Sequence, residues 1–189
     1  MNVACRVPTF RLYELYKLSN SIFMRDELKQ TLLILLLVAI QVLVLNNIHL
    51  FGLACPYLYI WAILALPVAM SPTLVMVIAF ALGFVIDIFC NSYGIHTSAT
   101  VLVAFLRPYI MRLVASRENL EKPYPSIASF GSAYYLYAAV LIVIHHLMLF
   151  SLEAFSFAHT GMVLLKTLCS AIFTFVLVIC IEFLKNSRR

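Results

Sequence analysis

Apolar residues fall along the chain in six extended runs, at 28–45, 56–70, 73–89, 96–114, 130–152 and 160–184, separated by short polar connections. None alternates with a period of two, so they do not read as the strands of a membrane β-barrel. About 20 apolar residues in a helix cross the ~30 Å hydrocarbon core of a bilayer. The pattern therefore predicts an all-α integral membrane protein with six transmembrane helices. The second run is the shortest, ~22 Å at the helical rise, and is expected to open on Pro56, whose missing N–H is harmless in a first turn. Ser71 and Pro72 supply a cap and a first-turn proline for the third helix. The stretch Asn91-Ser92-Tyr93-Gly94 predicts the turn into the fourth helix, which Arg107-Pro108 is expected to interrupt. Residues 116–129 are the one strongly polar connection.

Composition narrows the class. The 189 residues are 64% hydrophobic and only 11% charged, with a mean hydropathy of +1.02, whereas soluble domains carry about 25% charged residues. Six spans leave no room for a separate soluble domain, so residues 24–189 read as a single six-helix membrane domain. Residues 1–23 read as an N-terminal extension. Their Phe10, Leu12, Tyr13, Leu15, Tyr16 and Leu18 suit a short interfacial helix. Met24, followed by Arg25, Asp26 and Glu27, is equally suited as the natural start. The run after Lys29 resembles a secretory leader, but Asn46, Asn47, Ile48 and His49 follow it without a small-x-small cleavage site, so it reads as an uncleaved first helix.

Charge sets the orientation. Arg6, Arg11, Lys17, Arg25 and Lys29 lie at or before the start of the first run; Arg112, Arg117 and Lys122 border the fourth-to-fifth connection; Lys185, Arg188 and Arg189 close the chain. The opposite connections, 46–55, 90–95 and 153–159, contain no Lys or Arg. Positive charge accumulates on the cytoplasmic side of membranes, which places both termini in the cytoplasm. This also accounts for the net charge of +5 without a nucleic-acid partner.

Ionisable groups inside spans are expensive and face the bundle interior or water. Asp87, His145, His146 and Lys166 all fall in the outer part of the bundle, with His96 near them in depth. They predict an outer polar layer, either a binding cavity or a structural pair that orients helices. Within it, Asp87 is expected to pair with Lys166 in a buried ion pair, or to be held by His96. Arg107 is expected near mid-membrane, bonding carbonyls released by Pro108 or reaching inward to the interface. Gln41 suggests a helix–helix hydrogen bond, Glu182 a reach toward Lys185, and Gly83 a close helix contact. His145 and His146 project ~100° apart on a helix, the wrong spacing for a shared metal. No G-x-S-x-G, H-E-x-x-H, P-loop or G-x-G-x-x-G pattern occurs. The sequence thus calls for no catalytic residue, no cofactor and no metal. Of Cys5, Cys55, Cys90, Cys169 and Cys180, none forms a C-x-x-C pair. Cys55 and Cys90 are expected on one face, compatible with a disulfide, though two thiols is the simpler reading.

The helix ending in Gly83 and Asp87, followed by Gly94 and His96, resembles the signature of the rod shape-determining MreD family. Ala104-Phe105-Leu106-Arg107-Pro108 is also similar to that family, as is the stretch from Gln41 to Gly52 with Pro56-Tyr57-Leu58-Tyr59. The likeness covers about residues 24–185. It implies a non-enzymatic scaffold of the bacterial elongation machinery, in the inner membrane, controlling cell shape through the bitopic coiled-coil protein MreC. RodA, a class B penicillin-binding protein and, indirectly, MreB filaments would be further partners. It also implies a fold like the substrate-binding subunits of energy-coupling-factor transporters, which makes a vitamin-type small-molecule-binding subunit the competing reading. Within the motif, Asp87, Gly94 and His96 are expected to shape the connection between helices three and four rather than perform chemistry. In the native protein, a digest containing peptides from residues 1–23 would exclude Met24 as the start.

Overall fold

Among the described residues, Gln41, Asp87, His96, Arg107, His145, His146 and Glu182 are buried within a largely apolar core, while many bulky apolar side chains face outward, as expected of a bundle surrounded by lipid. A computed structural model describes residues 31–45, 55–155 and 160–187. The N-terminal extension, the 46–54 connection and most of the 153–159 connection lie outside them. The chain divides into a unit Met1–Leu36, of which residues 31–36 are described and helical, and a unit Leu37–Arg189. The second unit holds the site.

Every regular element among the described residues is helical: α1 (Thr31–Leu43), α2 (Ile60–Leu64), α3 (Pro72–Cys90), α4 (Ile95–Val114), α5 (Arg117–Leu120), α6 (Ile127–Phe130), α7 (Ala133–Ala154) and α8 (Thr160–Ser187). Four of them, α3, α4, α7 and α8, are long and apolar enough to cross a membrane, at ~28, ~30, ~33 and ~42 Å by helical rise. The protein is therefore a multi-pass α-helical membrane protein. α4 and α7 pack together centrally, with α3 against α4 and α8 against α7. α3 turns Leu74, Val77, Phe80, Phe84 and Ile88 outward, as a lipid-facing helix must. It starts at Pro72 with Ser71 as N-cap, the Ser71 hydroxyl accepting from Leu74 N–H.

The second apolar run departs from expectation. It is not a membrane-crossing helix. Only Ile60–Leu64 are helical, yet residues 58–66 are all buried. The reason lies in length and proline. Fifteen residues of helix cover only ~22 Å, whereas partly extended chain gains up to ~3.3 Å per residue. Pro56 and Pro67 bracket the segment with two positions that have no N–H to satisfy. Its inner turns use i→i+3 bonds, Trp61 N–H to Leu58 O at 3.0 Å and Ala62 N–H to Tyr59 O at 3.0 Å. The segment meets Ser170 at its start and Glu182 at Trp61, so it runs in the direction of α8. It meets His145 before Tyr137, so it runs against α7.

Irregular backbone inside a membrane protein must find partners from its surroundings. Here side chains supply them. Cys55 N–H donates to Ser170 Oγ at 3.0 Å and Tyr57 N–H to Thr174 Oγ1 at 3.1 Å. The Gln41 amide closes a two-bond ring, donating to Pro56 O at 3.0 Å and accepting from Leu58 N–H at 2.7 Å. Tyr137 donates to Leu64 O at 3.1 Å. Arg107 donates to the carbonyls of Leu66 and Pro67, and its Nε donates to Tyr137 Oη at 3.0 Å. Finally Val68 N–H reaches Pro123 O at 3.0 Å in the 116–129 connection.

Three expectations are corrected by this. Gln41, expected to bond helix to helix, bonds the main chain of the irregular segment. Arg107 serves the carbonyls of Leu66 and Pro67, not one released by Pro108. α4 continues through Pro108 to Val114 without interruption, because α4 is packed between α3 and α7 on both sides.

Arg107→Met should lower unfolding stability in detergent by about 2–4 kcal/mol, because it leaves buried carbonyls unpaired. Tyr109→Leu, at an outward-facing position of the same helix, should be near neutral. Equal losses for the two, in denaturant titrations, would sever Arg107 from the segment.

Candidate functional site

The site forms where α3 turns into α4. Gly83 and Asp87 are one helical turn apart and both buried on the face of α3 toward α4. A Cβ at Gly83 would lie 2.5 Å from Thr97 Cα and 2.8 Å from Thr97 N, and would collide with Thr100 Oγ1. Only glycine lets the α4 backbone come this near. One turn on, Asp87 receives the N-terminus of α4. Its Oδ1 accepts from His96 N–H at 3.0 Å and from Ser92 Oγ–H at 2.6 Å; its Oδ2 accepts from Thr97 N–H at 2.9 Å and Thr97 Oγ1–H at 2.5 Å. A carboxylate at a helix N-terminus satisfies orphan donors and complements the helix dipole. The turn between them needs left-handed backbone twice. Asn91 closes α3 at φ +52° and Gly94 opens α4 at φ +86°, the conformation that glycine and asparagine tolerate.

His96 carries the site inward. Its Nδ1 lies 2.8 Å from Tyr59 Oη, which lies 2.9 Å from His145 Nε2. The phenol has one proton for two rings, so one imidazole must donate to it and the other accept from it. His145 Nδ1 has no partner among the described residues. A bare buried acceptor is tolerated better than an orphaned N–H. The favoured order is thus His145 Nε2–H to Tyr59, and Tyr59 O–H to His96 Nδ1. His146 is fixed separately. Its Nδ1 faces Ile142 O at 2.8 Å, which requires N–H there. Its Nε2 then accepts from Thr174 Oγ1 at 3.0 Å, whose lone pair takes Tyr57 N–H. The Tyr57 ring packs among His96, His145, His146 and Phe150, at centroid distances of 5.3–6.2 Å.

Asp87, His96, His145 and His146 are all buried, and the pairing of Asp87 differs from the sequence expectation. Asp87 does not pair with Lys166. Lys166 Nζ lies 3.8 Å from Glu153 Oε1 and 5.9 Å from the Phe150 ring centroid, and the α4 N-terminus saturates Asp87. His96 holds Asp87 through its main-chain N–H rather than its ring. At the opposite end Glu182 is buried. It accepts from Trp61 Nε1–H at 2.9 Å and lies 3.6 Å from Lys185 Nζ. Cys55 and Cys90 form no disulfide with each other. Among the described residues no three His, Cys, Asp or Glu side chains are placed to hold a metal ion.

In the sequence Tyr57 and Tyr59 stand out only as part of a family-like stretch, and Trp61, Tyr137, Ser170 and Thr174 carry no signal of their own. One signal was available: a run too short to span, bracketed by prolines, with three aromatic residues carrying polar tips. No known family, characterised protein or solved structure matches the chain.

Asp87→Ala should destabilise the protein by about 2–3 kcal/mol, and Asp87→Asn by less, since an amide oxygen keeps part of the cap. Lys166→Ala should add to Asp87→Ala independently. A double-mutant cycle with coupling above about 0.5 kcal/mol would restore the Asp87–Lys166 pair.

Proposed function

We propose that this chain is an MreD-type scaffold of the bacterial lateral wall-synthesis machinery, residing in the inner membrane and acting through MreC without catalysis of its own. The observation that carries the reading is the junction of Gly83, Asp87, Gly94 and His96. The residues of the family-like motif all serve one tight α3–α4 turn, and their polar groups are used within the protein. Supporting it, Tyr59 is bonded to His96 and His145, His146 is bonded to Ile142 O and Thr174, and Tyr59, His145 and His146 are fully buried. That leaves apolar helix faces as the surface offered to other membrane proteins. RodA, a class B penicillin-binding protein and, less directly, MreB filaments would then assemble around the MreC complex.

The reading includes six passes with both termini cytoplasmic. In support, the irregular segment runs antiparallel to α7, and Gln41 near the end of α1 bonds the segment's beginning. α1 therefore ends at the level where the segment starts. Arg112, Arg117, Lys122 and Lys185 lie at or beyond the opposite ends of α4 and α8. A fold akin to vitamin-transporter binding subunits is part of the same proposal, whereas ligand binding in the manner of those subunits is not.

Affinity purification of the tagged full chain in mild detergent, followed by mass spectrometry, should recover MreC and the wall synthases with no stoichiometric metabolite. Recovery of an ATPase module and a tightly held metabolite, without wall proteins, would replace the scaffold by a transport subunit.

A further inference from the structure

Two adjoining recesses lie between α7 and α8 at the end of the bundle away from Lys185. One, of 260 Å³, is lined by Phe150, Glu153, Met162 and Lys166. The other, of 500 Å³, is lined chiefly by apolar side chains, Leu147, Leu152, Phe155 and Leu164 among them. Ala154 and Val163 belong to both. Glu153 is the penultimate residue of α7, while Lys166 lies six residues into α8, ~9 Å along the helix from Thr160. The charged recess thus lies within two turns of the adjoining ends of α7 and α8, beside an apolar recess.

The two charges are only loosely engaged. Their N···O separation of 3.8 Å exceeds the ~2.7–2.9 Å of a tight charge-assisted bond. Glu153 is 50% and Lys166 34% exposed, so both keep hydrogen-bonding capacity. The pair offers an ammonium donor and a carboxylate acceptor side by side, with no net charge. The complementary ligand presents an anion and an N–H-bearing cation at similar spacing, joined to an apolar chain. A phosphoglycerol headgroup would give Lys166 its phosphate but leave the Glu153 carboxylate without a cationic partner. A trimethylated ammonium would offer the carboxylate no N–H.

We propose that this composite recess binds one phospholipid with a phosphoethanolamine headgroup. Lys166 takes the phosphate, Glu153 takes the primary ammonium, and one acyl chain lies along Leu147, Leu152 and Leu164. The site is independent of the Asp87 turn and of the scaffold reading.

The test is native mass spectrometry of the purified full-length protein after exchange with vesicles of phosphatidylethanolamine, phosphatidylcholine or phosphatidylglycerol of identical acyl chains. One equivalent of phosphatidylethanolamine should be retained, with about tenfold preference over the other two, as one charge-assisted hydrogen bond provides. Glu153→Gln should erase the preference over phosphatidylcholine, and Lys166→Met should reduce retention of all three. Equal retention of the three lipids by the unaltered protein, or no stoichiometric lipid at all, overturns the site. So does a preference that survives both substitutions. The headgroup comparison on the unaltered protein decides the matter even where a substitution impairs folding.

Discussion

A peptide group taken into a membrane-embedded bundle must leave its water behind, and each N–H or C=O left unpaired there costs several kcal/mol. A helix meets that demand by itself. The stretch from Cys55 to Val68 cannot, because only five of its residues are helical. Its main chain is completed from outside, by Gln41 from α1, Arg107 from α4, Tyr137 from α7, and Ser170 and Thr174 from α8. The arrangement explains why four helices that could pack through apolar contact alone carry buried polar side chains. Pro56 and Pro67 reduce the demand at two points by having no donor.

The α3–α4 turn is joined to this segment through one residue. Asp87 holds the His96 main chain, and the His96 ring meets Tyr59 in the middle of the segment. Tyr59 also meets His145 of α7. Gly83 makes the arrangement geometrically available, since a β-carbon there would force α4 away from α3 and withdraw His96 and Thr97 from the carboxylate. A substitution at Gly83 is thus expected to act on Tyr59, a residue in a different part of the sequence.

Much of this architecture was legible in the sequence, for identifiable reasons. Helices α3, α4, α7 and α8 announce themselves by long apolar runs, and Ser71-Pro72 and Gly94 mark helix starts by local chemistry that does not depend on the fold. Gly83 and Asp87 could be placed on one helix face by spacing alone. What spacing could not supply was the identity of partners. Asp87 and Lys166 are at similar depth and of opposite charge, yet Asp87 lies within nine residues of a helix N-terminus whose unpaired N–H groups are nearer and cannot move away. Local main-chain donors prevailed over a distant side chain. Arg107 departs from expectation for a related reason. Pro108 drew attention to a carbonyl within α4, whereas the exposed carbonyls belonged to a segment whose apolar composition disguised it as a helix. Hydropathy measures burial, and residues 58–66 are buried; it does not distinguish a helix from a supported irregular chain.

These hydrogen bonds are not separable events. Withdrawing the segment by one residue would release the Gln41 ring, the Thr174–His146 relay and the Tyr59 bridge together, exposing several donors and acceptors to hydrocarbon at once. Partial openings are therefore poorer states than either the closed bundle or extensive disassembly, which makes the core a single cooperative block. The adjoining ends of α7 and α8 lie at the edge of that block. Among the described residues Glu153 and Lys166 hydrogen-bond neither the segment nor the α3–α4 turn, and their recesses touch the core through the Phe150 ring, which packs against Tyr57 and His146. A rigid interior with adaptable contact sites at its margin is compatible with the scaffold role proposed above. Contacts made with lipid or with neighbouring helices at the margin can change without breaking any bond on which the core depends.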